Sequence, residues 1–348
     1  MPIGSDVARA AEILRAGGLV AFPTETVYGL GGDASRDDAA GKIFAVKRRP
    51  RAHPLIVHLA AGASLDGWAT DIPDPARRLV AAGWPGPLTV ILKRGPRVAL
   101  ATTGGADTVG LRVPAHPMAQ ALLAAFGGGI AAPSANRFGA VSPTRAEHVV
   151  ADLGEDVDYV LDGGPCDVGV ESTIVDLSRE RPVLLRPGGM PREAIEAIVG
   201  ALGEPDAEAP AAPGTLASHY APAAEVSAVE PNDVVATVAR ARETIEHMPT
   251  EMPAPVEATK GTVAVLAPAG AFAAWGDLGP HVIPYKLPDD VAGMARGLYA
   301  ALRDLDAAGV DVVVAALPPA AGLGEAVGDR LRRAAGPRDQ NRKPPGNR

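Results

Sequence analysis

The stretch GEPDAEAPAAPGTLASHYAPAAE, which starts at Gly203, constrains the chain more than any other feature. Pro, Ala and Gly dominate it, and it holds too few large apolar side chains to build a core, so it reads as an extended linker. What lies on either side must fold around cores of its own. The expected division is a first region over 1–202, the linker over 203–224, a second region over 225–336 and a tail over 337–348. The tail is polar and rich in Pro and Arg, a composition expected to stay disordered. With 348 residues and 47% hydrophobic content, the chain can bury two cores.

The two regions differ in pattern. In the first, Val7–Ala16 has a helical period closed by Gly17-Gly18, and LVAFP reads as a short buried strand. TETVYGLGGDA reads as a loop entering a helix over Ala39–Ala45. A cationic loop, KRRPRAHP, then feeds a strand over Leu55–Leu59. GPLTVILKR and TVGLRVP are strands, AHPMAQALLAAFG a helix, GIAAPSAN a strand running into a loop, and PTRAEHVVADLG a helix. YVLDGG, ESTIVDLS and PVLLRPG are strands, and Arg192–Leu202 is a helix. Without a strict βαβ repeat, this mixture specifies an α/β fold with a large twisted mixed sheet. The second region alternates regularly: EVSAV, a helix over Val234–His247, TVAVLAP, HVIPY, a helix over Asp290–Ala308, VDVVVAAL and a helix over Gly324–Ala335. That order predicts a smaller, Rossmann-like parallel α/β C-terminal domain. It lacks G-x-G-x-x-G, so no dinucleotide site is expected in it.

Charge narrows the function. The formal net charge is −8 and aromatics make up 4% of residues. Broad nucleic-acid binding needs many Lys/Arg contacts and stacking platforms, so direct tRNA or RNA binding is expected to be weak or absent. No apolar run is long enough to span a bilayer, the N-terminus shows no secretory pattern, and the lone Cys166 suits a reducing compartment. The expectation is a cytoplasmic protein with no membrane partner.

Against that acidic balance, Lys47, Arg48, Arg49 and Arg51 crowd one short segment. Pro50 and Pro54 argue against a helix there, and clustered cations at a strand end form a natural receptor for a polyanion. Three further polar loops meet strand ends: PTETVYG from Pro23, PSANRFGAVSPT from Pro133 and GVESTIVD from Gly169. Alone, each is explained by turn and capping chemistry; together with the cations they point to a ligand site for phosphates. Other chemistries lack their signatures. There is no G-x-x-x-x-G-K-[ST], no G-x-S-x-G elbow around Ser134 and no Cys/His metal spacing.

FPTETVYGLGGDA, KRRPRAHPLIVH, GLRVPAHP, APSANRFGAVSPT, GVESTIVD and LLRPG occur in the order seen in threonylcarbamoyl-AMP synthases, and the first region resembles their YrdC-like fold. HYAP after a linker and GLGEAVGDRLRRAAG near the end are similar to the long, two-domain form of that family. The resemblance implies a nucleotidyltransferase that converts L-threonine, bicarbonate and ATP into threonylcarbamoyl-AMP and pyrophosphate. Its product would pass to a separate tRNA threonylcarbamoyl transferase, for N6-threonylcarbamoyladenosine at position 37 of tRNAs reading ANN codons. By motif, Lys47, Arg49, Ser134 and Asn136 are the implied catalytic residues and bind ATP together with His53, Thr108, Ser142, Arg186 and Tyr220. His53 stands where the family usually has Asn and can donate one hydrogen bond in its place. Threonine would be held by Thr26, His58, Arg112, Ser172 and the backbone at Ala132. No metal-binding side chains are implied; Mg2+ would be held through the ATP phosphates. The linker, with Tyr220, would act as a lid. Two rivals fit less well. A double-stranded-RNA module needs a wide basic surface, and a carbamoyl-adenylate enzyme of hydrogenase maturation carries acylphosphatase and zinc-finger regions that have no counterpart here.

Overall fold

The computed structural model describes residues 2–246 and 261–337. These divide into two compact units, one formed by residues up to Phe138 with Ser142–Thr215, the other by Gly139–Val141 with the described residues from Leu216 onward.

The first unit is built on an 11-stranded mixed sheet. In spatial order its strands are Ile3–Gly4, Tyr159–Leu161, Val20–Phe22, Gly29–Asp33, Ile130–Ala131, Ile56–His58, Thr108–Arg112, Leu88–Arg94, Thr173–Asp176 and Val183–Arg186, with Ala69–Thr70 paired to Leu88–Arg94. Alternation within one strand shows how both faces are buried. Leu19 and Ala21 point into the larger core, with Tyr28, Leu30, Val57, Leu111 and Val160. Val20 and Phe22 point the other way, onto Ala10, Ala11 and Leu14 of the helix Val7–Arg15 and onto Leu122 and Leu123 of Pro117–Phe126. A period of two therefore joins a single strand to two cores. The first helix begins where the Asp6 side chain accepts from Arg9 N–H at 3.0 Å.

Register is what positions the polar ends. Ile56–His58 runs parallel to Thr108–Arg112 with His58 opposite Arg112, and Thr108–Arg112 runs antiparallel to Leu88–Arg94 with Arg112 opposite Thr89. Thr173–Asp176 continues parallel to Leu88–Arg94, with Thr173 opposite Leu88. On the other side His58 faces Ile130. Strands that are apolar through their middles thus bring His58, Arg112, Thr89 and the Ser172-Thr173 step to one end of the central strands.

The second unit contains a parallel sheet in the order Glu225–Val229, Val312–Ala316, Val263–Pro268, Val282–Leu287. The helices Val234–Glu246, Val291–Ala307 and Leu323–Ala334 connect or follow these strands. Asp290 caps Val291–Ala307 by accepting from Gly293 N–H at 2.7 Å. Both expected architectures, the mixed sheet and the smaller parallel one, are therefore present.

Several local expectations need correction. Gly29–Asp33, read from sequence as loop, is a strand. Three of its five residues are glycine, which carries little strand propensity, but the position demands it: a Cβ on Gly31 would lie 2.8 Å from Ile130 Cγ2 and 2.9 Å from Phe22 Cε1. Lys47 is not in a loop; it ends the helix Asp37–Lys47, and the αL residue Arg48 stops that helix at φ 54°. Asp74–Gly83 forms a helix that the sequence reading passed over, with only Ala76 and Leu79 fully buried. His247 and the expected disordered tail from 338 lie outside the described residues.

Gly188 follows the strand Val183–Arg186 and abuts the Glu171–Thr173 backbone. An added Cβ would fall 2.4 Å from Glu171 O, Ser172 C and Thr173 N, none of which can swing aside. Gly188→Ala should therefore destabilise the protein by about 1–3 kcal/mol, read as a lower denaturant midpoint; an unchanged midpoint would show that this approach carries no constraint.

Candidate active site

At this end of the strands, Arg112 and Glu25 form a buried ion pair, with Nη2 2.8 Å from Oε1. The second carboxylate oxygen, Oε2, accepts the Ala115 N–H at 3.0 Å. Arg112 Nε also points at the Gly86 carbonyl at 3.4 Å. Glu25 is held in turn by its loop. Thr24 Oγ1 donates to the Val27 carbonyl at 2.6 Å and contacts Thr26 Oγ1 at 2.8 Å, while Val168 N–H donates to the Glu25 carbonyl at 2.7 Å. Beside Arg112, His58 is buried with its ring edge-on to Phe22 at 5.9 Å. Burial, reinforced by the Arg112 cation, pushes the His58 imidazole down to about 3, so it is neutral near pH 7. Its Nδ1 is buried with no hydrogen-bond partner among the described residues. A buried polar atom of this kind is a ready contact for a ligand.

At the same end, Ser172 Oγ lies 2.8 Å from Thr89 Oγ1. Arg186 clasps Ser172, with Nη2 donating to its carbonyl at 2.8 Å, and Nη1 donates to the Pro213 carbonyl at 2.9 Å. One residue before Ser172, Glu171 accepts from Ser142 Oγ at 2.7 Å.

The cationic segment forms the neighbouring cluster. Lys47 is 2% exposed, and its Nζ donates to the Ser134 carbonyl at 2.5 Å and to the Asn136 carbonyl. Phe138 N–H donates back to the Lys47 carbonyl at 2.9 Å. A cation at a helix C-terminus thus staples the PSAN loop. Burial, with Arg49 adding to it, holds the Lys47 ammonium well below its ordinary range. Arg49 Nη2 donates to the Pro54 carbonyl at 3.0 Å, and its guanidinium lies 5.6 Å from the centre of the Phe138 ring. His53 meets that ring edge-on at 5.4 Å, and partial burial lowers its imidazole.

The residues expected to hold threonine therefore gather. His58, Arg112, Ala132 and Ser172 are linked by register and hydrogen bonds at one end of the central strands, with Ala132 N–H donating to the Ile56 carbonyl at 2.9 Å, and Thr26 follows Glu25 in the loop tied to Arg112. Lys47, Arg49, His53, Ser134 and Asn136 form the second cluster, which Pro133 joins in the chain to Ala132. Ser142 and Arg186 connect to the first cluster through Glu171 and Ser172. Thr108 stands apart: it opens the strand that Arg112 closes, about 13 Å along it at ordinary strand rise. Tyr220 belongs to the second unit, where its ring stacks on Tyr299 at 5.7 Å and lies under the Arg330 guanidinium at 5.1 Å. Among the described residues no three His, Cys, Asp or Glu side chains group as a metal cage.

Sequence reasoning missed Glu25, Glu171 and Thr89. The signal was there for the first two, because each is a carboxylate embedded in a hydroxyl-rich loop with a complementary group elsewhere in the motif set. Cys166 is buried, and burial pushes its thiol up to about 12, which suits a packing residue.

Fold and site together define a mixed α/β protein with an anion-receptive region: buried cations, hydroxyls and a neutral imidazole set on strand ends and stapled loops. Comparison with known proteins narrows the class. Residues 12–188 match the Sua5/YciO/YrdC family, described as telomere recombination, and residues 190–336 match the threonylcarbamoyl-AMP synthase C-terminal domain. The threonylcarbamoyl-AMP synthase of Pyrococcus abyssi is 43% identical over 334 residues, spanning 94% of this chain and 93% of that protein. That of Bacillus subtilis is 40% identical over 338 residues, spanning 95% and 93%. The crystal structure of P. abyssi Sua5 complexed with L-threonine superposes with a TM-score of 0.85 at 38% identity, covering 96% of this chain and 97% of that one. The chain belongs to the Sua5 family, in its two-domain form.

Two outcomes follow from this geometry. The folded-state depression of His58 means that only the unfolded chain takes up a proton between pH 6.5 and about 3. The stability it contributes is complete above pH 6.5 and falls with acidification by up to about 1.4 kcal/mol per pH unit. His58→Asn should flatten that part of the stability profile; an unaltered slope would contradict it. Lys47→Met should lower stability by about 1–3 kcal/mol, because two buried carbonyls lose their donor. A denaturant midpoint equal to wild type would show the staple to be idle.

Proposed function

We propose that this protein is a threonylcarbamoyl-AMP synthase that joins L-threonine, bicarbonate and ATP, taken as MgATP, with release of pyrophosphate. The observation that best supports the reading is the adjacency of two grips in one unit: the His58–Arg112–Ser172 cluster and the loop clamped by Lys47.

The chemistry suits such an arrangement. The threonine amine attacks CO2 derived from bicarbonate, forming a C–N bond and giving up a proton to solvent. A carbamate oxygen then attacks the α-phosphorus, the bond from that phosphorus to the oxygen bridging it to the β-phosphate breaks, and pyrophosphate departs; Mg2+ carried on the phosphates would offset part of their charge. The carbamate is already an anionic nucleophile, so the step needs alignment and charge neutralisation more than a strong base. Lys47, Arg49, Ser134 and Asn136 serve the triphosphate and carbamate in this reading. His53, Thr108, Ser142 and Arg186 complete the nucleotide set within the first unit. Arg112 forks the threonine carboxylate, while Thr26, His58, Ser172 and the Ala132 backbone surround the rest of the amino acid. No helix among the described residues is long and apolar enough to cross a membrane, and we place the activity in the cytoplasm. The product feeds a separate transferase that modifies position 37 of tRNAs reading ANN codons.

The test is pyrophosphate release with ATP and bicarbonate, comparing L-threonine, L-serine and L-valine. Release should depend on threonine, and valine should fall behind by on the order of 10⁴-fold, because a site that binds the hydroxyl leaves buried groups unpaired without it. Arg49→Ala should reduce the threonine-dependent signal by about 100-fold or more. Release that is independent of threonine, or full activity in Arg49→Ala, would overturn the assignment.

A further inference from the structure

We infer that Glu25 is a positioning residue for amino-acid recognition: its carboxylate fixes the Arg112 fork at the angle that receives the substrate carboxylate. The inference rests on the reading of Arg112 as the threonine carboxylate's partner.

The geometry is specific. Each Glu25 oxygen has its own donor, Arg112 Nη2 at 2.8 Å and Ala115 N–H at 3.0 Å. Between those donors the chain passes through Val113 and Pro114, where the strand ends. A single carboxylate therefore ties the guanidinium before that step to the backbone after it. Gly86 N–H donates to the Val113 carbonyl at 2.8 Å, and the Gly86 carbonyl receives Arg112 Nε, which holds the turn from its other side. With Nη2 and Nε so engaged, Nη1 makes no bond to the protein among the described residues and is the part of the fork left to a ligand. The Arg112 and Glu25 side chains are 5% and 8% exposed, so water competes little for either.

A long arginine that reaches a ligand through several rotatable bonds needs such a brace. Without it, the same cation would sample other rotamers or seek another carbonyl, and the ligand would have to order it on binding. Glu25 has no role as a floating negative charge, because both its oxygens are occupied. The Thr24 hydroxyl bonds and the Val168 N–H keep the Glu25 backbone fixed. The brace is therefore anchored at both ends before any substrate arrives.

Removing the charge also acts in the opposite direction, since it leaves Arg112 more strongly positive toward an incoming carboxylate. Orientation should outweigh this, because a misplacement of about 1 Å at a recognition group can cost about 100-fold. Glu25→Gln is the informative change. The amide keeps the size of the carboxylate but can accept on only one side, so its NH2 must face either Arg112 or the Ala115 N–H, donor against donor.

The experiment is steady-state kinetics on the full chain for wild type, Glu25→Gln, Glu25→Ala, Arg112→Ala and the Glu25→Ala/Arg112→Ala double variant, with threonine and ATP titrated separately. Glu25→Gln should raise KM for threonine about tenfold or more while KM for ATP changes less than about twofold. A general loss of folding would not produce that split. The threonine-induced rise in Tm should shrink in Glu25→Gln while the ATP-induced rise persists. In the Arg112→Ala background, removing Glu25 should add little to KM for threonine, because the fork it braces is gone. If Glu25→Ala does not fold, Glu25→Gln alone decides. If Arg112→Ala raises KM for threonine and Glu25→Gln does not, the brace is refuted while the substrate reading stands. If Arg112→Ala leaves KM for threonine unchanged in an enzyme that still needs threonine, the assumed role of Arg112 fails first and the inference falls with it.

Discussion

Putting cations at the buried end of an apolar sheet is costly unless each one finds a partner, and the loops of the first unit are arranged to supply partners. Lys47 donates to the carbonyls of Ser134 and Asn136, Arg49 to that of Pro54, and Arg186 to those of Ser172 and Pro213. A carbonyl dipole steadies a cation without cancelling its charge. Arg112 has in addition the Glu25 carboxylate, which fixes the direction of its guanidinium.

The elements carrying these groups divide along similar lines. His58 and Arg112 sit on hydrogen-bonded strands, and a slip of one residue would turn each to the opposite face. Their mutual placement is therefore as fixed as the sheet. Ser134 and Asn136 lie in a loop, where precision must come from added bonds. Lys47 Nζ and the Phe138 N–H to Lys47 carbonyl bond provide them by tying the loop to the end of a helix. Loops can carry binding residues on a rigid scaffold, but here the scaffold reaches into the loop through one buried side chain.

Much of this was legible in the sequence. Strand positions followed from short apolar runs, and the polar loops were recognisable as a set because Gly, Pro and hydroxyl residues cluster where those runs stop. The failures have physical causes. Prolines at 50 and 54 made the segment around Lys47 look wholly irregular, yet they act only after the αL turn at Arg48, which leaves the preceding helix intact through Lys47. The glycines of Gly29–Asp33 masked a strand because they reflect the closeness of Phe22 and Ile130, which lie elsewhere in the chain. Glu25 escaped notice because its partner, Arg112, lies 87 residues away and on a strand that does not pair with those flanking the Glu25 loop, so only the folded unit brings the two together.

Long-range pairing of that kind also bears on how specificity and stability are linked. Breaking a buried ion pair by removing one member leaves the other charge uncompensated, an effect of about 3–5 kcal/mol in general. Replacing either Glu25 or Arg112 alone therefore costs folding, whereas simultaneous apolar replacement could be neutral for folding yet would remove the guanidinium. The geometry around Val113-Pro114 follows from this, because one carboxylate serves the backbone turn and the guanidinium at once, and neither function can drift without disturbing the other.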